Sequence, residues 1–171
     1  MRTVILGERP PELQAFLERR RALGQDTYDE VWEGAYHVAP YAHSHHGLVQ
    51  AEILFALTGR AKRRGLAALS GCNIGSPTNF RVPDGVLCAT APHTVYVPTA
   101  LLVVEVLSPD DETLAKLPFY AGRGIHDVVV ADPQERWVRC YDLRSGQAVL
   151  TDRSSVLDLA MADLEAEITW P

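Results

Sequence analysis

The 171 residues, 47% of them apolar, are enough for one domain with a substantial core, and the expected organisation is a single domain over residues 1–171. A formal charge of -6 excludes a general attraction to polyanions, so any nucleic-acid site must be a local basic patch or work through a metal ion. No apolar run is long enough for a signal peptide or a membrane span. Cys72, Cys88 and Cys140 suit neither a disulfide framework nor a zinc knuckle, so the chain reads as cytoplasmic with reduced thiols.

A first helix is expected over residues 10–23, with Leu13, Phe16, Leu17 and Leu23 near helical spacing and Gly24 as the stop. Arg19, Arg20 and Arg21 crowd its end, where cations complement the helix dipole, and they read as a solvated face. Residues 27–39 read as two short strands around a Glu33-Gly34 turn, with Glu30 on the first. A loop containing His43, His45 and His46 then leads into a helix over residues 46–64. Its buried stripe is expected to be Leu48, Ile53, Leu54, Leu57 and Ala61. The last turn, Arg60, Lys62, Arg63 and Arg64, is the densest basic cluster of the chain; the dipole accounts for about half of it, and the rest suits phosphates. The three histidines lack the His-x-x-x-His spacing that puts two imidazoles on one helical face, so no dedicated histidine metal site is expected. His46 reads instead as a helix cap or a ligand contact.

A strand is expected over residues 67–72, with Gly71 as a bulge. In residues 79–89, Phe80, Val82, Val86 and Cys88 keep strand alternation while Pro83-Asp84-Gly85 interrupts it and pushes Asp84 out of regular pairing. Residues 90–100 read as a loop. After Pro109, Pro118 either kinks one helix or starts a helix preceded by a short turn; the second arrangement is preferred, because proline fits a first turn. Residues 126–131 and 136–143 read as strands around Asp132-Pro133, and residues 157–164 as a short helix.

The most apolar run is Leu101 to Pro109, LLVVEVLSP, the pattern of a strand covered on both faces, with Glu105 in its middle. A buried carboxylate costs several kcal/mol unless a cation, a metal or strong donors compensate. If the strands near 80–88 and 101–107 form a hairpin centred between Thr94 and Val95, Asp84 lies opposite Glu105. Two carboxylates side by side repel unless a divalent cation sits between them, and the Val106 carbonyl can be a third oxygen ligand for Mg²⁺ or Mn²⁺. Lys116, on the segment leaving the strand, can act on an attacking water or a phosphate oxygen, or can pair with Glu105 in an inert scaffold. The residues alone leave both roles open.

Pro83-Asp84, then Glu105-Val106-Leu107-Ser108-Pro109, then Lys116 to Ile125 (KLPFYAGRGI) and Asp132-Pro133 form an ordered set of short motifs. With Glu30, Glu33-Gly34, Pro40 and His46 upstream, the set resembles the Uma-type restriction endonuclease family, a branch of the PD-(D/E)xK nuclease superfamily, over about residues 28–143. The resemblance implies an α/β (α+β) restriction-endonuclease-like core, a mixed β-sheet flanked by helices, and Mg²⁺-dependent (or Mn²⁺-dependent) hydrolysis of DNA phosphodiesters. It also implies Asp84 and Glu105 as metal ligands, Lys116 as catalytic lysine and Glu30 as an accessory acid. In the superfamily the lysine usually stands two residues after the acid. That position is Leu107 here, so the resemblance implies a lysine displaced to Lys116. A homodimer is expected if both strands of a duplex are cut. Two other readings compete: a non-catalytic binding or regulatory protein on the same scaffold, and a hydrolase of a smaller phosphate ester, which a closed pocket beside Asp84 would favour.

Overall fold

The computed structural model describes residues 3–7, 10–109 and 112–171. The chain begins with β1 (Thr3–Ile5), α1 (Pro11–Ala22), β2 (Glu30–Trp32) and β3 (Ala35–Val38), and then forms α2 (Ser44–Arg63). Six short strands follow: β4 (Ala67–Leu69), β5 (Asn73–Ser76), β6 (Asn79–Arg81), β7 (Gly85–Cys88), β8 (Tyr96–Val97) and β9 (Leu102–Val106). Then come α3 (Thr113–Gly122), β10 (Asp127–Asp132), β11 (Trp137–Asp142), β12 (Val149–Thr151), β13 (Arg153–Ser154), β14 (Leu159–Ala160) and α4 (Met161–Glu167). The result is the mixed α+β fold expected from the sequence. Among the described residues no helix is long and apolar enough to cross a membrane.

The strands form one sheet in the order β1-β3-β2-β6-β5-β8 and a second in the order β12-β11-β10-β9-β7-β4, beside a small β13-β14 ladder. In the second sheet β9 and β10 run parallel and are joined through α3, while β7 pairs β9 antiparallel. Every residue of β9 is buried, because helices α2 and α4 cover one face of its sheet and α3 with the first sheet covers the other. Val49, Ile53, Leu57 and Ala61 of α2 pack on Leu102, Val104 and Val106. On the opposite face Val86 and Val103 pack with Leu117 and Tyr120 of α3 and with Ile74 of β5. Glu105 has the same strand parity as Val103 and so faces α3.

Several elements differ from the sequence expectations. The α2 stripe contains His46 and Val49 in place of Leu48, which is exposed, because the helix begins at Ser44 and its buried face is rotated accordingly. The residue that caps α2 is His43, whose ring accepts from the His45 N–H; His46 lies one turn inside. Residues 79–88 do not form one interrupted strand: β6 belongs to the first sheet and β7 to the second, and Pro83-Asp84 is the step between them. The strand expected over residues 67–72 ends at Leu69 as β4, with Gly71 in the bend that leads to β5, and β8 lies in the segment expected as a loop. Pro118 lies inside α3, so the helix does not start there. Proline removes the N–H that would reach the Leu114 carbonyl. Leu114 and Pro118 both face solvent, where water can satisfy that carbonyl, and the buried side of the helix is held by Lys116, Leu117 and Tyr120. The last helix is Met161–Glu167, whereas residues 157–160 are turn and strand.

Candidate active site

The register of β7 on β9 sets Gly85 opposite Val104, so the next position outward sets Asp84 opposite Glu105, as the hairpin symmetry required. Both residues line one cavity of about 300 Å³, together with Glu30 from β2, His46 and Gln50 from α2, Ser108 after β9, and Lys116 from α3. Four elements therefore contribute to one concave site at the end of the second sheet.

Asp84 is fixed on three sides. The His46 Nε2 is 2.8 Å from Oδ1, the Val106 backbone N–H donates to Oδ2 at 2.7 Å, and the Gln50 side chain donates to the Asp84 carbonyl at 2.8 Å. The Nδ1 of His46 is 3.1 Å from the Ser108 hydroxyl, which orients the ring. An extended residue points its N–H and C=O to the same edge, so the Val106 carbonyl is turned toward Asp84 as its N–H is.

Lys116 lies between two carboxylates. Its Nζ is 3.0 Å from the Glu30 Oε1 and 3.1 and 3.0 Å from the two Glu105 oxygens, and all three residues are buried. Glu30 also accepts from the Val82 N–H at 2.9 Å and the Trp32 indole at 2.6 Å. Glu105 accepts from the Tyr120 hydroxyl at 2.5 Å; Tyr120 stands four residues beyond Lys116, on the same helical face. The walls behind Glu30 are held by the Arg81 guanidinium, sandwiched 4.4 Å from the Trp32 ring and 4.0 Å from the Phe119 ring.

One lysine cannot neutralise three carboxylates, and the protonation preferences reflect this. Burial pushes the Lys116 ammonium down, but the charges of Glu105 and Glu30 outweigh burial and hold it well above its ordinary range. For Glu30, burial would raise the carboxyl, yet Lys116 and the Val82 N–H hold it below its ordinary value. For Glu105 burial wins over Lys116 and is reinforced by the charges of Asp84 and Glu30, so its carboxyl is pushed up to about 7. Three carboxylates share the cavity with one ammonium, and the crowding is expressed at Glu105, which holds its proton more tightly than a free carboxyl does.

That crowding fits a hard divalent cation. Among the described residues no group of three or more His, Cys, Asp or Glu side chains is arranged to hold a metal. The available oxygen donors are instead two carboxylates, Asp84 and Glu105, and the Val106 carbonyl. Mg²⁺ commonly takes one or two protein carboxylates and keeps several waters, so this donor set suits it better than it suits zinc. The sequence reading named Asp84, Glu105, Lys116 and Glu30, and the structure brings all four together. It missed Tyr120, although an (i, i+4) partner of Lys116 on one helical face was a signal for it, and it left His46 without its Asp84 contact.

The model of the Uma2 family, described as "Putative restriction endonuclease", matches residues 13–169. The chain belongs to the Uma2 family. A solved structure with a similar fold is described as a "putative nuclease belonging to DUF820" from Anabaena variabilis ATCC 29413; at 18% identity it superposes with a TM-score of 0.67, covering 83% of this chain and 92% of its own. No curated protein matches the chain. The Uma2 match runs from within α1 to beyond the end of α4 and includes Glu30, Asp84, Glu105 and Lys116.

Proposed function

We propose that this chain is a metal-dependent nuclease that hydrolyses phosphodiester bonds of DNA. The observation that supports this most is that Asp84, one step beyond the Gly85–Val104 pair, and Glu105 line one cavity that also holds a lysine buried between Glu105 and Glu30. On this reading Asp84, Glu105 and the Val106 carbonyl would hold Mg²⁺ or Mn²⁺. When bound, the ion supplies Lewis-acid polarisation of the phosphate and lowers the pKa of water.

The chain's own side chains would do the rest. His46 and the Val106 N–H keep the Asp84 oxygens at a fixed orientation, which spares the reorganisation a mobile carboxylate would need. Lys116, kept protonated by two carboxylates, serves as a donor to a phosphate oxygen or to the attacking water rather than as a base. Glu30 holds the Lys116 ammonium at the cavity wall, the positioning role of an accessory acid.

The test is a cleavage panel of plasmid, single-stranded and branched DNA with Mg²⁺ or Mn²⁺, run beside an Asp84→Ala control. Cleavage that requires the metal and disappears in the control is the expected result. A folded wild-type protein that cuts nothing in the panel would overturn the proposal.

A further inference from the structure

The buried and the exposed lining of the cavity differ in chemistry. The buried and half-buried lining has Glu30, Asp84 and Glu105 against Lys116 and His46, whereas the exposed lining is Tyr28, Pro40, Tyr41, Ala42, His43 and Pro109. Tyr41 is 91% exposed and Tyr28 50% exposed, so two aromatic rings stand in water at the mouth of an acidic site. Among the described residues no arginine lines the cavity, and Lys116, the one lysine that does, already faces Glu30 and Glu105.

Among the described residues, none of the arginines or lysines of α1 and α2 lines the cavity. Arg20 and Arg21 pair with Asp29 and Asp26, and Arg60 pairs with Glu167. The cluster from Arg60 to Arg64 closes the far end of α2, about 20 Å along the helix axis from His46. A duplex is held chiefly by rows of Lys and Arg on its phosphates, and among the described residues no such row lines this mouth. An unpaired strand offers something a duplex hides: base faces, which stack on aromatic rings whatever their sequence. A cavity of about 300 Å³ is at the small end of ligand pockets, with room for an extruded nucleotide and not for a paired stack.

We infer that Tyr41 and Tyr28 are stacking platforms for unpaired nucleobases, and that the substrate class of the site is single-stranded DNA. The inference rests on the nuclease reading for the phosphate that lies over Asp84 and Glu105; base stacking at the mouth is independent of whether that phosphate is cut. Neither ring is buried in the core, so the substitutions that test it leave the fold in place.

The experiment measures binding of a fluorescent twenty-nucleotide thymidine strand and of a duplex of equal length by anisotropy, with Ca²⁺ present, for the wild type, Tyr41→Ala, Tyr41→Trp and Tyr28→Ala. Expected are at least tenfold tighter binding of the single strand, a loss of roughly tenfold for each alanine variant on that strand alone, and retention by Tyr41→Trp. Equal or tighter binding of the duplex, alanine variants that bind the single strand normally, or thymidine 5′-phosphate competing as well as the strand would overturn the inference. Failed cleavage with single-strand binding intact removes the nuclease reading and supports the stacking platform. Cleavage of duplex by a tyrosine-insensitive enzyme does the reverse.

Discussion

At the scale of single residues the candidate site is centred on Lys116. Its ammonium is shared by Glu30 and Glu105, and this makes its two roles separable by experiment. Lys116→Ala strands two buried carboxylates, one of which, Glu30, prefers to be ionised, and should cost on the order of 3 kcal/mol of stability. If the ammonium also acts on water or phosphate, single-turnover cleavage by the molecules that remain folded should fall by roughly two or more orders of magnitude. Denaturant melts and single-turnover rates on the same preparation measure both. A folded variant that cuts at the wild-type rate assigns Lys116 to the scaffold alone. Asp84 differs in kind: His46 and the Val106 N–H fix its orientation on the cavity wall.

At the scale of elements, the site depends on a sheet-to-sheet step and on a tight hairpin. The Pro83-Asp84 bend carries the chain from β6 to β7 and leaves Asp84 outside the ladder, where its side chain is available. The β5-β6 hairpin pairs Ser76 with Asn79 and brings Gly75 against the Phe80 backbone and the Phe119 ring that stacks on Arg81. Gly75 has φ +128, and a Cβ there would stand 2.3 Å from the Asn79 carbonyl oxygen and 3.0 Å from the Phe80 Cα. Both obstacles are backbone and cannot rotate away. Gly75→Ala should therefore destabilise the protein by about 3 kcal/mol, read from the urea midpoint at constant m-value. An unchanged midpoint would mean that the hairpin shifts freely, and the Arg81 sandwich would then not be a rigid wall for Glu30. The Glu33-Gly34 turn between β2 and β3 is another constrained hairpin, with φ of 47 and 91 at its two central residues, as a two-residue turn of the right twist demands.

At the scale of the whole molecule, folding collects Glu30, Asp84 and Glu105 around one lysine in a chain whose formal charge is already -6. Glu105 is pushed up to about 7 by burial against an ordinary 4.5, so the folded state binds its proton more tightly than the unfolded state. The stability this contributes is complete below about 4.5 and is lost as the pH rises through about 7. Without metal, the wild type should therefore lose melting temperature relative to Glu105→Gln between pH 5 and pH 8. Mn²⁺ should offset that loss, since an ion that binds only the native pair of carboxylates contributes about 2.7 kcal/mol at a hundredfold excess over its Kd. Thermal melts across pH with and without Mn²⁺ check both statements. The same Mn²⁺ shift in Asp84→Ala and Glu105→Gln would place the ion elsewhere on the surface.

Local pattern was enough to read most strands and helices and the burial of Glu105. These depend on period and turn residues, both of which act over a few residues. It was not enough for Pro118, where the rule against proline inside a helix yields to burial of Lys116, Leu117 and Tyr120 on the opposite face. Nor could it assign residues 79–88 to two sheets, since strand alternation is the same whichever sheet a strand joins. The sequence by itself named Asp84, Glu105, Lys116 and Glu30 as candidate residues and set Asp84 beside Glu105 on condition of one hairpin centre. Only the tertiary structure decided that Glu30, more than fifty residues upstream of Asp84, reaches the same lysine, and that His46 from α2 orients Asp84. Those contacts join segments distant along the chain, and their geometry is set by how helices and sheets pack, which no local periodicity encodes.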